Sequence, residues 1–235
     1  MTGILVLVIV VTFFVVTIVR YQRRKASFYH EKIKAQFYFL DKERERIAFD
    51  LHDDVGATLF SLKLKLQCVT STDKKDMAII EDSEAQLDGV IQRLRHISFN
   101  MMPSVLQRQG LDKALKELID MMTYSKNIVV TYRCDIPSFA QEKDIHIYRI
   151  VQEIMNNILK HAQATAVDFS LSGNQREALL HIRDNGIGFN KYRATKNPVG
   201  LGLHNISARA DLLGAKVFLT TGQQKGVDYL IEIPM

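Results

Sequence analysis

The sequence predicts an α+β protein. It starts with an N-terminal transmembrane helix, continues as an antiparallel helical hairpin that forms a dimeric four-helix bundle, and ends in an α/β sandwich. Three observations carry that reading. Residues 3–19, GILVLVIVVTFFVVTIV, hold no charged side chain. Between residues 26 and 101 apolar side chains recur at alternating steps of four and three, the pattern of packed helices. Beyond residue 110, helical periods alternate with short strand-like runs bounded by Gly, Asn and Asp.

The apolar stretch comes first. Its seventeen residues sit at the short end of what crosses a bilayer. Fourteen of them are Ile, Leu, Val or Phe. At roughly −0.3 to −0.6 kcal/mol each, they favour insertion by about 4–8 kcal/mol. A signal peptide is excluded by the missing basic residue ahead of the stretch and the missing small-residue cleavage site after it. A buried core helix is disfavoured because no face is polar. The cluster RYQRRK at 20–25 follows directly, and by the positive-inside rule it places the remainder in the cytoplasm. The expected location is therefore the cytoplasmic membrane, single-pass. With two residues ahead of the stretch, no extracytoplasmic domain is expected.

The formal charge of +5 comes from Lys and Arg that are scattered along the chain apart from that one cluster. No basic stripe interleaved with aromatics follows, which argues against direct nucleic-acid binding. Cys68 and Cys134 lack CxxC spacing, so neither a disulfide framework nor a zinc site is expected.

From Ala26 the helical seam runs through His30, Ile33, Phe37, Leu40, Arg44, Ile47 and Leu51, then Val55, Thr58, Leu62, Leu66 and Val69. The step from Leu51 to Val55 is four where three is due, a stutter that locally unwinds a supercoil. A second series, Met77, Ile80, Leu87, Ile91, Leu94 and Met101, follows the polar turn STDKKD and ends at Pro103. Two antiparallel helices with exposed seams are most economically satisfied by a second copy, giving a four-helix bundle.

Beside the stutter stands FDLHDDVGATLF, residues 49–60. A helix built only for packing has little use for His-Asp-Asp-Val-Gly, since Gly56 alone costs about 1 kcal/mol relative to alanine. A surface histidine is the plain alternative. His52, however, falls at the margin of the apolar face, accessible yet fixed, which suits a nucleophile. Asp53 is a candidate for holding its imidazole in one tautomer, although adjacent helical residues diverge by about 100°.

The second half opens with a helical segment at 110–125 and the strand-like IVVTYRCDIP. In the helix that follows, Tyr148, Val151, Met155, Ile158 and Leu159 make one apolar face. Glu153, Asn157 and Lys160 lie within about 60° of one another opposite it. A solvated face is the ordinary reading. An acid, an amide and a cation so aligned also suit phosphate chemistry: the Asn157 oxygen fits Mg²⁺, and Glu153 can act through a coordinated water.

VDFSL and LLHIR then read as strands, the latter running into DNGIGF at 184–189. Asp184 can accept from an exocyclic amine, and Gly186 and Gly188 let backbone approach a ring closely. In VGLGLHNISARADLLGAKV, Gly200 and Gly202 open a helix whose free N–H groups attract phosphate. Neither GxGxxG nor GxxxxGK[ST] occurs, which argues against dinucleotide and P-loop folds. KVFLTT and VDYLIEIP close the chain as strands around GQQKG.

Five blocks in this order resemble the bacterial sensor histidine kinases of two-component systems, in the subfamily of the nitrate/nitrite sensors and the membrane-fluidity thermosensor. ERERIAFDLHDDVGATL is similar to that family's phosphoacceptor box, and LRHISFNMMPSVLQRQGL to its exit into the catalytic domain. IVQEIMNNILKHAQA resembles the asparagine box, and DNGIGF and GLGLHNISARADLLGA resemble the two glycine boxes. The resemblance implies an ATP-binding domain of the gyrase/histidine-kinase type. It implies phosphorylation of His52 from Mg²⁺-ATP with Asp53 assisting, and transfer onward to an aspartate of a response regulator. It also implies that Asn157 ligates Mg²⁺ with Glu153 beside it, and that Lys160 and His161 stand near the phosphates. Asp184 would read the adenine amine, with Gly186, Gly188, Gly200 and Gly202 shaping the pocket.

On this reading the chain divides into an anchor at 1–20, a coiled-coil linker at 21–42, a dimerisation and phosphoacceptor domain at 43–103 and a catalytic domain at 104–235. The expected partners are a second copy, a response regulator and a membrane sensor. A scaffold that binds ATP and modulates a partner kinase is the alternative. One position departs from the family pattern: where a glutamine implicated in dephosphorylating the regulator often stands, this chain has Ala57. Weak regulator phosphatase activity is expected.

Overall fold

The computed structural model describes residues 2–69, 73–101, 104–124, 126–136, 141–189 and 201–234. The chain separates into two compact units, Met1–Met102 and Pro103–Met235.

The first unit is helical. α1 runs unbroken over Thr2–Asp50, carrying the apolar stretch, the basic cluster and the first part of the seam on one helix. Among the described residues no helix is long and apolar enough to cross a membrane. The side chains of residues 4–10 lie outside the described set. The transmembrane helix expected at 1–20 therefore finds no support in the described structure.

α1 passes without a break into a π-helical turn, Leu51–Gly56, and then into α2, Ala57–Gln67. The flanking residues Asp50 and Ala57 both keep right-handed helical dihedrals. The π turn coincides with the stutter, and the geometry explains why. A π turn takes more residues per turn than an α-helix. A step of four residues therefore rotates less there, which returns Val55 toward the seam that two consecutive α-helical steps of four would leave.

α3, Lys74–Met101, packs on both α1 and α2. Asp73 starts it, its Oδ1 accepting the Lys75 N–H at 2.8 Å in the manner of an N-cap. Lys63 on α2 pairs with Asp88 on α3 at 2.5 Å. Among the described residues of this unit only Ala48 is buried. Phe49, Phe60, Leu62, Leu64 and Ile97 are all more than 45% exposed, so one hairpin does not cover its own apolar face.

The second unit is a two-layer α/β sandwich. Its sheet has strand order β1-β2-β3-β5-β4, with β1 (Val129–Asp135) parallel to β2 (Ala166–Gly173). The other pairings, among β2, β3 (Glu177–Asp184), β4 (Lys216–Thr221) and β5 (Val227–Pro234), are antiparallel. Alternate residues of β2, β3 and β5 are buried while those between are not, as expected of a sheet covered on one face.

The helices of this unit are α4 (Ser104–Gln109), α5 (Leu111–Thr123), α6 (Gln141–Asn157) and α7 (Leu201–Leu213). Gly110 joins α4 to α5 at φ +84°, a conformation that favours glycine. Leu115, Leu118 and Ile119 of α5 are fully buried, as are Ile150, Ile154 and Met155 of α6. Each such side chain contributes roughly 1.5–3 kcal/mol relative to exposure.

Two features differ from the sequence expectation. Arg149 and Gln152 on α6 are also buried, joined by a 2.8 Å hydrogen bond, so this helix is enclosed nearly all round and Glu153 and Asn157 are half-buried. The helix also ends in a second π turn, Ile158–Ala162, closed by Gln163 in the left-handed conformation at φ 53°.

Candidate functional site

Two loci carry the predicted chemistry, one in each unit. In the first, the backbone of His52 lies within the π turn Leu51–Gly56, and its side chain lies outside the described set. π turns inside α-helices occur frequently at functional sites. Asp53 and Asp54 are exposed, and so is Ala57 at the first position of α2. Gly56 keeps ordinary helical dihedrals, φ −62° and ψ −47°. A Cβ built on it meets only Leu51 O at 3.7 Å and Leu94 Cδ2 at 3.8 Å. Sterics do not require a glycine there.

The second locus is built at the C-terminal end of β3. Asp184 is 2% exposed. Its Oδ1 accepts the Gly186 N–H at 2.8 Å, whereas its Oδ2 is buried with no hydrogen-bond partner. Burial pushes its pKa above the usual carboxylate range, opposed by the backbone N–H groups of Gly186 and Val227. Buried acceptors are normally satisfied, so a lone buried oxygen at the end of a strand marks a place for a donor such as an amino group.

The loop after Asp184 is held close to its neighbours. The Ile187 N–H donates to Ala162 O in the second π turn at 2.8 Å, and a Cβ on Gly186 would run into that same carbonyl. Gly188 has φ +60°, and a Cβ there would run into Gly222 O. Asn185 Oδ1 accepts the N–H groups of Thr165 and Ala166 at 2.9 and 3.0 Å, locking the loop to the start of β2.

Opposite this loop, α7 meets α6. A Cβ on Gly202 would lie 2.5 Å from Glu153 Oε1 and 3.2 Å from Asn157 Oδ1, so the α7 N-terminus closely approaches these two side chains and a larger residue there would have to displace the Glu153 carboxylate. Tyr229 on β5, 2% exposed, joins the two halves. The Asn157 side chain hydrogen-bonds its hydroxyl. Burial first, then the nearby Asp184 charge, pushes its pKa up to about 12.

The structure thus gathers Asp184, Gly186 and Gly188 on one side and Glu153, Asn157 and Gly202 on the other. Lys160 and His161 lie in the second π turn with exposed side chains. Gly200 lies outside the described residues. Among the described residues no group of three or more His, Cys, Asp and Glu side chains is placed to hold a metal ion. Glu153 and Asn157 therefore do not form a closed metal cage. They fit a cation that keeps several waters and takes further ligands from phosphate.

Sequence reading missed Tyr229, Asn185 and Thr221. A usable signal existed only for Tyr229: a phenol at an inward strand position needs a hydrogen-bond partner.

Comparison with known proteins agrees with this geometry. Residues 43–106 match a family model described as histidine kinase, and residues 142–235 match one described as histidine kinase-, DNA gyrase B-, and HSP90-like ATPase. The chain is 28% identical over 220 residues to the oxygen sensor histidine kinase NreB of Staphylococcus carnosus, covering 91% of this chain and 62% of the relative. It is 30% identical over 214 residues to the sensor histidine kinase ComP of Bacillus subtilis, covering 86% of this chain and 28% of the relative. The chain therefore spans less than two thirds of these relatives' length. In fold it is similar to the histidine kinase domain of the Erythrobacter litoralis EL346 blue-light activated histidine kinase, with TM-score 0.50 and 19% identity, covering 77% of this chain and 94% of that one. A helical unit of the one family followed by an ATPase unit of the other places this chain among the sensor histidine kinases, and it belongs to that family.

Proposed function

We propose that the chain is an ATP-dependent protein-histidine kinase that phosphorylates His52 and passes the phosphoryl group to an aspartate of a response regulator. The observation that carries this is the buried, unpartnered Oδ2 of Asp184, at the head of a loop in which a Cβ on Gly186 or Gly188 would run into backbone carbonyls. Bound Mg²⁺-ATP supplies the terminal phosphoryl group. Asp184 accepts from the exocyclic amine of the base. Asn157 would hold a magnesium ion through its side-chain oxygen, with Glu153 beside it, and Lys160 and His161 would stand near the phosphates.

A neutral imidazole is a competent nucleophile near pH 7. A ring nitrogen of His52 forms the bond to phosphorus as the bond to the departing diphosphate oxygen breaks, and Asp53 takes the ring proton. Such transfer depends on positioning and charge neutralisation more than on covalent chemistry by the protein.

The assembly in this reading is a homodimer through the uncovered apolar faces of the hairpin. The seventeen apolar residues and the basic cluster behind them support a membrane anchor at 1–20 with the rest of the chain in the cytoplasm.

The test is incubation with magnesium and ATP labelled at the terminal phosphate. The expected product carries acid-labile, base-stable label that is absent in His52→Gln and in Asn157→Ala. Nucleotide binding without covalent label in the wild type would leave only a scaffold.

A further inference from the structure

Thr221, the last residue of β4, plays no part in the reading above, yet its hydroxyl sits at the junction of two loops. Its Oγ1 accepts the Phe189 N–H at 3.1 Å and donates to Gly226 O at 3.0 Å. The same oxygen lies 3.1 Å from where a Cβ on Gly188 would stand. Around it the β4–β5 turn is fitted against the glycine loop. The Gln224 N–H donates to Ile187 O at 2.7 Å, with Gln224 itself in the left-handed conformation at φ 59°. A Cβ on Gly226, at φ +68°, would collide with the backbone carbonyl of Asp184.

The glycine loop is therefore pinned at two ends. Asn185 ties its start to β2, and Thr221 ties its finish to the β4–β5 turn. Between the two pins lie the Gly186 N–H that holds Asp184 Oδ1 and the backbone that a flat ring must approach.

We propose that Thr221 is a positioning residue for adenine recognition: its hydroxyl clasps the glycine loop to the β4–β5 turn and so fixes the loop geometry that aims Asp184 at the base. This rests on the nucleotide-binding reading of the same site. The side chain need not touch the nucleotide. A valine of nearly the same shape keeps the packing and removes the hydroxyl, leaving the Phe189 N–H and the Gly226 carbonyl without that partner. A serine keeps the hydroxyl and loses only a methyl group.

The experiment compares the full-length wild type with Thr221→Val and Thr221→Ser. It measures ADP dissociation constants by calorimetry, apparent KM and kcat with Mg²⁺-ATP, and amide exchange at residues 186–189. We expect Thr221→Val to weaken ADP binding about tenfold and raise KM for ATP in proportion, with little change in kcat and with faster exchange at Ile187 and Phe189. Thr221→Ser restores affinity to within about twofold. A merely structural role would move the melting temperature without this split between KM and kcat. Wild-type affinity in Thr221→Val, or a serine variant as weak as the valine one, would overturn the proposal. Failure of the wild type itself to bind ADP would instead overturn the kinase reading, and this inference with it. Should Thr221→Val not fold, Thr221→Ala set against Thr221→Ser supplies the same contrast.

Discussion

Asp144, in the first turn of α6, has a carboxylate oxygen buried without a partner, and burial pushes its pKa up to about 6. The folded value lies above an unfolded value of roughly 3.9, so the fold favours the protonated form. The contribution to stability is fully present below about pH 4 and is lost as the pH rises through 6. Asp144→Asn is expected to raise the melting temperature at pH 8 by about 2–4 °C, the shift from about 1 kcal/mol of relief in a half-buried, partly screened group. At pH 4 the two proteins should melt together; an equal shift at both pH values would contradict the assignment. A second residue-scale expectation concerns Ala57, which is exposed and leaves space for a longer side chain. Ala57→Gln should hydrolyse a phosphorylated response regulator several-fold faster than the wild type, because an amide can orient a water and a methyl group cannot. Rapid hydrolysis by the wild type, read as release of inorganic phosphate, would rule this out.

Among the elements, the π turn Leu51–Gly56 shows how a local pattern becomes geometry: the extra seam step at 51–55 is absorbed as a wider turn around His52. Gly56 within it has helical dihedrals and room for a methyl group. Gly56→Ala should therefore stabilise the hairpin by about 0.5–1 kcal/mol, seen as a higher urea midpoint with an unchanged slope. Destabilisation would mean that the turn needs more backbone freedom than its dihedrals indicate. The second π turn acts differently. It sets the Ala162 carbonyl against Gly186 and Ile187, so a helix end becomes one wall of the nucleotide loop.

For the whole molecule, the contrast is between a unit that buries its core and one that leaves it open. The sandwich encloses Phe169, Leu180 and Ile231 completely, whereas the hairpin exposes Leu62 at 49% and Phe60 at 56%. Exposed apolar side chains such as these are what a second copy of the hairpin would cover. The solubilised chain is expected to sediment as a dimer, and Leu62→Asp should shift it toward monomer while ADP binding persists. A monomeric wild type at micromolar concentration would refute the four-helix assembly.

What the sequence by itself determined is what local signals encode. The apolar runs KVFLTT and VDYLIEIP around GQQKG mark β4 and β5 at the residues where those strands stand. Seam spacing marks the helical hairpin and the position of its stutter, and glycines beside an acid mark the binding loop. What only the tertiary structure decided is how distant segments meet: the lone oxygen of Asp184, Gly202 against Glu153 and Asn157, Tyr229 beneath Asn157, and Thr221 clasping Phe189 across 32 residues. The helical wheel places Glu153 and Asn157 on an open polar face, but packing against α7 half-covers them. Periodicity reports which side of an element is apolar; what comes to lie against its polar side is settled by contacts between residues far apart in the chain, which leave no local pattern to read.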